Sequence, residues 1–362
     1  MHERDAFWSP DGKWIAYNSD ETGENELYVR PQDGKGQPQQ ITKSADTYYY
    51  QPIWSPDSKK LLWSDRLQRL RYVDVSSKTV TEVAQDKMGE IESYDWSPDS
   101  QWIAWGQPEL NNQNRVYLYS LASKKVSSVT DEWYDSGRVA FSDDGKYLLL
   151  SSSRDFKPTF SQNEFQDIYV DMQRIYFVML AKDTESPVAP RSDEVGKADK
   201  KDKDKSDNKD AEKKDEGKKD DKSKKTVTVK VDLDGLQDRI VALETTPANY
   251  ANLRLVDGRV FYLRRGIGDQ AEDDGEDGGG EPKWHLCSYS LEDRKETVLG
   301  DVKSYQISFD GKKMLVKIDD DYSIIDLPKD KLETKDHKLE LKGLDVIADR
   351  RVEWKQIYNE SW

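Results

Sequence analysis

The chain has 362 residues, of which 35% are hydrophobic, and a formal charge of -15. That length can bury a sizeable core, and so acidic a surface repels nucleic-acid phosphates and anionic lipid, which excludes nucleic acid and membrane as partners. The deficit does not lie where charge is densest, because between Asp193 and Lys225 13 Lys nearly balance 12 Asp and Glu. The single cysteine, Cys287, allows no intrachain disulfide. No run approaches the ~18 apolar residues of a membrane span, and Met1-His2-Glu3-Arg4-Asp5 lacks the basic and apolar regions of a signal peptide. The expectation is a soluble protein of the cytoplasm, or of the periplasm if the parent protein carries a signal peptide.

The first element is Phe7-Trp8-Ser9-Pro10-Asp11-Gly12-Lys13-Trp14-Ile15-Ala16-Tyr17. It returns at Ile53-Trp54-Ser55-Pro56-Asp57-Ser58, at Asp95-Trp96-Ser97-Pro98-Asp99-Ser100, and more weakly at Ala140-Phe141-Ser142-Asp143-Asp144-Gly145. An aromatic ends one strand, Pro presets φ for a tight turn, Asp bonds its own backbone, and an apolar run opens the next strand. A third strand follows at Glu26–Val29, Leu70–Val73 and Val116–Tyr119, then a shorter polar one at Gln39–Thr42, Thr81–Val83 and Ser127–Thr130, as suits an exposed outer edge. Four strands recurring every 46, 42 and 45 residues, measured between Trp8, Trp54, Trp96 and Phe141, specify an all-β fold, a β-propeller of four-stranded antiparallel blades.

Two further copies, Leu253–Leu263 around Asp257-Gly258 and Ile307–Val316 around Asp310-Gly311, keep Asp-Gly and lose Ser-Pro. The blades therefore fall near 1–43, 44–85, 86–130, 131–246, 247–300 and 301–348. Blade four is far over length, with 113 residues separating Gly145 from Gly258. Arg174–Leu180 supplies its third strand, Thr226–Lys230 begins its outer region, and the charged stretch 190–225 lies between them as a disordered spacer, since no face of it can pack. At the end, Trp354, Ile357, Tyr358 and Ser361-Trp362 share one face at helical spacing, so 349–362 opens a short helical module.

Chemistry is sparse. The Asp residues of the turns have the wrong spacing for a calcium loop, and the acidic Asp269–Glu281 segment reads as a solvated loop, so no metal site is assigned. No Gly-x-Ser-x-Gly, phosphate loop or paired His/Cys zinc spacing occurs, and the three histidines, His2, His285 and His337, are scattered. Cys287 sits in the alternation Trp284–Tyr289 as a buried strand thiol, with His285 two residues away on the same strand face. No catalytic residue and no cofactor is expected. Of the 11 Trp and 19 Tyr, Trp8, Trp54 and Trp96 hold equivalent positions and should pack blade against blade. Tyr48, Tyr49, Tyr50, Trp133 and Tyr134 precede first strands, where propeller loops reach one end of the central channel, and are the candidate peptide contacts.

The Trp-Ser-Pro-Asp-Gly-Lys repeats resemble those of TolB-like and prolyl-oligopeptidase-type propellers. Val231–Val241 and the terminal Val352–Trp362 also resemble the tricorn protease family, in which the first stretch follows a charged insertion in a second, seven-bladed propeller and the second opens the catalytic core. That resemblance, which runs through essentially the whole chain, implies a non-catalytic propeller of a serine peptidase that trims oligopeptides, with the nucleophile beyond Trp362. It implies peptides and the parent's remaining domains as partners, a homo-oligomeric parent, a gating role for the channel, and one blade missing before the first copy. A prolyl-oligopeptidase-like propeller, or a TolB-like protein-binding scaffold, is the alternative.

Overall fold

A computed structural model describes residues 3–155, 158–161, 166–169, 171–190, 227–266, 284–343 and 349–360. The charged spacer, the acidic Asp269–Glu281 segment and Ser361-Trp362 lie outside the described residues. Six antiparallel sheets follow one another along the chain as the blades of a propeller. Blade I comprises Glu3–Trp8, Trp14–Ser19, Glu26–Pro31 and Gln39–Gln40; blade II Ile53–Trp54, Lys60–Ser64, Arg69–Asp74 and Val80–Gln85. Blade III comprises Ser93–Trp96, Trp102–Pro108, Asn114–Ser120 and Lys125–Ser128; blade IV Ser136–Phe141, Tyr147–Ser152, Arg174–Met179 and Ile240–Ala242. Blade V holds Asn249–Val256, Arg259–Arg265, Trp284–Ser290 and Lys295–Val302, and blade VI holds Ser304–Ile307, Lys313–Ile318 and Asp321–Asp326, whose edge is bridged at Ser323 by Lys338. A short hairpin, Thr159–Ser161 with Gln166–Ile168, is inserted within blade IV.

The turn between first and second strands is built the same way five times. Ser9 Oγ donates to Asp11 Oδ1 at 2.6 Å and accepts from Trp14 N at 2.9 Å, while Lys13 N donates to Asp11 Oδ1 at 3.1 Å. Ser55–Asp57, Ser97–Asp99, Ser142–Asp144 and Ser308–Asp310 repeat the serine–aspartate bond. Blade VI thus keeps the serine: only the proline is replaced, by Phe309. Blade V alone makes a two-residue turn, Asp257-Gly258, with φ of 48° and 71°, the mirror-image hairpin that such a dipeptide favours. Where the repeat expects glycine, Ser58 and Ser100 adopt φ of 59° and 60°. Each is held there because its Oγ accepts the backbone N–H of the aspartate one blade earlier, Asp11 and Asp57, at 3.1 Å.

The core is five layers, one between each successive pair of blades. Leu27, Val29, Trp54 and Trp63 fill the first; Leu62, Trp96, Trp105 and Tyr119 the second; Leu118, Phe141, Leu148 and Tyr176 the third. The remaining two are centred on Phe177, Tyr250 and Tyr262, and on Phe261, Leu286 and Met314. Burying each of these side chains is worth about 1.5–3 kcal/mol, so the propeller coheres through its seams. Trp54 and Trp96 are 8% and 3% exposed and sit in seams as the repeat implies, but Trp8 is 59% exposed because no described sheet covers that side of blade I.

Contacts between blades concentrate on the first strands, which therefore surround the axis. Side chains stitch them together: Trp54 Nε1 donates to Phe7 O at 3.2 Å, Asp95 Oδ2 accepts from Phe141 N at 2.8 Å, Ser93 Oγ from Val139 N at 2.9 Å, and Asn252 Nδ2 donates to Tyr305 O at 2.8 Å.

In blade IV the outer strand is Ile240–Ala242, paired with Tyr176–Val178; Val227–Lys230, which precedes it in the outer region, is not a strand. Val229 N instead donates to Asp99 Oδ2 of blade III at 2.9 Å, and Val227 and Val229 lie over Gly145, where an added Cβ would meet them at 3.0 and 2.7 Å. At the end of the chain, Arg350–Glu360 forms an α-helix with Trp354, Ile357 and Tyr358 exposed.

Candidate functional site

Antiparallel blades sort their connections by end. Turns between first and second strands lie at one end, with those between third and fourth. The other, the loop end, carries the connections between second and third strands and those from one blade to the next. Tyr48–Tyr50 and Trp133-Tyr134 belong to blade-to-blade connections and so share the loop end.

The tyrosine loop is pinned from two blades. On the blade I side, buried Glu26 accepts from Thr42 Oγ1 at 2.5 Å and Ala45 N at 2.8 Å, and Asn25 Oδ1 accepts from Tyr49 N at 2.8 Å. On the blade II side, fully buried Asp65 pairs with Arg69 Nε at 2.9 Å and Arg71 Nη2 at 2.6 Å, and Arg69 reaches on to Asp46 at 2.9 Å. The hydrogen-bonded Arg69 guanidinium holds the Asp46 carboxyl below its ordinary value. Arg71 lies 5.2 Å from the ring centre of Tyr49 and 5.4 Å from that of Trp63. Tyr49 is thereby 3% exposed, a buttress inside the seam and not a surface contact. Its neighbours face outward: Tyr48 lies under the Arg4 guanidinium, 3.8 Å away, and meets Tyr50 edge-on at 5.5 Å.

Tyr50 opens onto two adjoining cavities. Its hydroxyl donates to Glu90, and burial, followed by that carboxylate, pushes the phenol up to about 12. One cavity, of about 380 Å³ between blades II and III, is lined by Tyr50, Ser64 and Tyr94; the other, about 310 Å³ between blades III and IV, by Ser93, Asn114, Asp135 and Arg138. Glu90 and Glu92 line both. In the second, Asp135 Oδ1 accepts from Asn114 N and Nδ2 at 2.9 and 2.8 Å, and Oδ2 from Gln173 Nε2 at 3.2 Å. Arg138 approaches Glu92 at 3.8 Å from a bulge in which its φ is 53°; blades I and V carry the same left-handed bulge at Asp5 and Asn252. Trp133 and Leu110, 78% and 84% exposed, lie on loop-end connections joined by Asn111 Nδ2 donating to Glu132 O at 2.8 Å. Tyr134 is half-buried beside Arg154, 5.8 Å from its ring centre.

Of the five aromatic candidates, four therefore reach the loop-end surface at two different seams, and the acidic and polar groups between them were not singled out in the sequence. Glu90 and Glu92 occupy the same place in the repeat as Tyr48–Tyr50, and that equivalence was the available signal. Elsewhere, Cys287 is closed to solvent in the seam of blades IV and V, while His285 Nδ1 lies 2.6 Å from Asp301 on the neighbouring strand. Among the described residues no three His, Cys, Asp or Glu converge as a metal site, and no helix is long and apolar enough to cross a membrane.

Residues 1–328 match the family profile described as the tricorn protease second beta propeller domain. The chain belongs to that family. Tricorn protease homolog 1 of Streptomyces coelicolor is 26% identical over 362 residues, covering 96% of this chain and 32% of the relative. A tricorn protease homolog of Saccharolobus solfataricus is 24% identical over 317 residues, covering 85% and 26% respectively. The crystal structure of the tricorn protease superposes with a TM-score of 0.77 at 16% identity, covering all of this chain and 33% of that one. This chain thus spans between about a quarter and a third of the length of these relatives.

Proposed function

We propose that this second-propeller domain is the non-catalytic gate of a tricorn-like serine peptidase that degrades oligopeptides. In this reading extended peptides meet the loop end and pass along the axial channel, which excludes folded proteins by size, toward or away from a catalytic centre that other domains supply. The observation that carries it is the character of the loop end: a pinned aromatic loop leads directly into adjoining cavities lined by carboxylates and amides, whereas the turn end is closed by repeated local bonds. Exposed rings and oriented polar groups suit main chain and mixed side chains without demanding one sequence. The parent is homo-oligomeric and acts on peptides in the cytoplasm.

The test uses a peptidase carrying this domain with a disulfide introduced across the loop-end mouth; buried Cys287 will not compete for the new thiols. Hydrolysis of oligopeptides should fall in the oxidised form and return on reduction. An unchanged rate in the oxidised form sinks the gating role.

A further inference from the structure

We infer that the two arms of the blade IV insertion, 181–190 and 227–239, form a brace that locks blades III, IV and V together at the turn end, with Arg239 as its knot. An insertion between outer strands ordinarily runs over the surface and leaves the core to the sheets it connects. These arms instead enter the core on both sides of the blade that carries them. On the returning arm Val229 and Leu236, 6% and 2% exposed, belong to the layer between blades III and IV, and Val227 and Val231 pack against it. On the outgoing arm Val188 packs against the layer between blades IV and V.

The polar bonds divide the same way. Val229 N donates to Asp99 Oδ2 of blade III at 2.9 Å. Ala189 O accepts from the Arg294 guanidinium of blade V, and Glu185 O from Tyr147 Oη of blade IV at 2.9 Å. Each arm thus crosses one seam, and blade IV is held from both flanks.

Two arms make one brace only if they are joined. Asp232 N donates to Leu180 O at 2.9 Å, and Lys182 N donates to Asp232 Oδ2 at 2.8 Å. Arg239 completes the joint. Its guanidinium donates to Met179 O at 3.0 Å and Leu180 O at 3.3 Å, where the outgoing arm begins, and to Asp232 O and, at 3.0 Å, Asp234 O on the returning arm. A rigid fork of five donors can gather four carbonyls from two segments, which a single ammonium cannot. The ion pairs Lys182–Asp234 and Lys230–Asp183 add little, because all four side chains are more than half exposed. A seam tied in this way at its turn end can part only from its loop end, and the tie closes without residues 191–226.

The experiment follows hydrogen exchange at Phe141, whose N–H bonds to Asp95 across the seam of blades III and IV. Asp11, whose N–H bonds to Ser58 across the seam of blades I and II, is the control. Arg239→Ala should speed exchange at Phe141 by about tenfold or more and leave Asp11 unchanged, since only one seam is loosened. Arg239→Lys, which keeps the charge but not the fork, should give a smaller increase. Val227→Ser combined with Val229→Ser leaves Arg239 in place and should also speed Phe141, so it reads the brace should Arg239→Ala fail to fold. Replacing residues 191–226 by a glycine-serine link of equal length should leave Phe141 at its original rate. The inference is overturned by an unchanged rate at Phe141 in the arm variants, by acceleration confined to 179–182 and 227–239, or by equal acceleration at Asp11. It is overturned as well if the glycine-serine link loosens Phe141 as much as Arg239→Ala does.

Discussion

The two ends of the propeller are made from the same strands and differ in almost every other respect. At the turn end, serine and aspartate close a six-residue loop on itself in five of the six blades, and the turns of blades II and III each accept one bond from the turn before. At the loop end the first three blade-to-blade connections differ: one is clamped by a buried ion-pair network, one presents carboxylates, one exposes a tryptophan. Repetition holds the fold where bonding is local, and it frees the opposite end to vary.

The largest expected effect compares carboxylates at the two ends. Asp65→Ala leaves Arg69 and Arg71, each with a side chain only 13% exposed, without their buried partner, and should cost about 3–5 kcal/mol of stability. Asp57→Ala at the turn end, where the side chain is 31% exposed, should cost about 1 kcal/mol by the same urea titration. Equal losses would break the contrast. Within the turn end, Gly12→Ala and Gly145→Ala separate strain from collision: both residues are left-handed, at φ of 70° and 71°, but only Gly145 is covered, by Val227 and Val229. The first should cost about 1 kcal/mol and the second about 2–4 kcal/mol, read from urea midpoints.

The smallest effect is acid titration. For Asp11, burial pushes the carboxyl up, but the bonds from Ser9 and Lys13 outweigh it and leave it lowered; Asp74 is lowered chiefly by Ser76, and Asp46 by Arg69. A carboxylate lowered by folding stabilises the native state above its unfolded value of 3.8, and that contribution disappears as pH falls through the folded value. The thermal midpoint should therefore drop as pH is taken from about 5 to below 3.8, modestly because these groups are largely hydrated. Asp95 opposes the trend: burial raises its carboxyl, so its contribution is present at low pH and lost as pH rises through the folded value.

The blade rhythm was legible because each turn is decided within six residues: Ser97 and Asp99 need only Gln101 and Trp102 to complete their bonds. The same is true of the outer edges and of the insertion in blade IV, whose excess length is visible in the count. The loop end was only partly legible. Three consecutive tyrosines announce a surface loop, yet Tyr49 turns inward because Arg71, 22 residues later, lies over its ring. Glu90 and Glu92 sit in a polar connection that looks like any solvated one, and they acquire meaning only beside Tyr50 and Arg138, from neighbouring blades. The place of Val227 and Val229 was hidden for the converse reason. Their β-branched side chains suit a strand, but Asp99 of blade III takes the Val229 N–H and both side chains lie over Gly145.

The stitches along the axis carry a consequence for how such a molecule breathes. Backbone ladders run within each sheet, whereas neighbouring sheets are joined near the axis by single side chains reaching a main-chain partner: Trp54 to Phe7, Asp95 to Phe141, Asn252 to Tyr305. Parting two leaves there gives up one or two such bonds and one apolar layer while every ladder stays whole. The weak lines of this domain run between its blades, and the cavities at Glu90 and Glu92 lie on two of them.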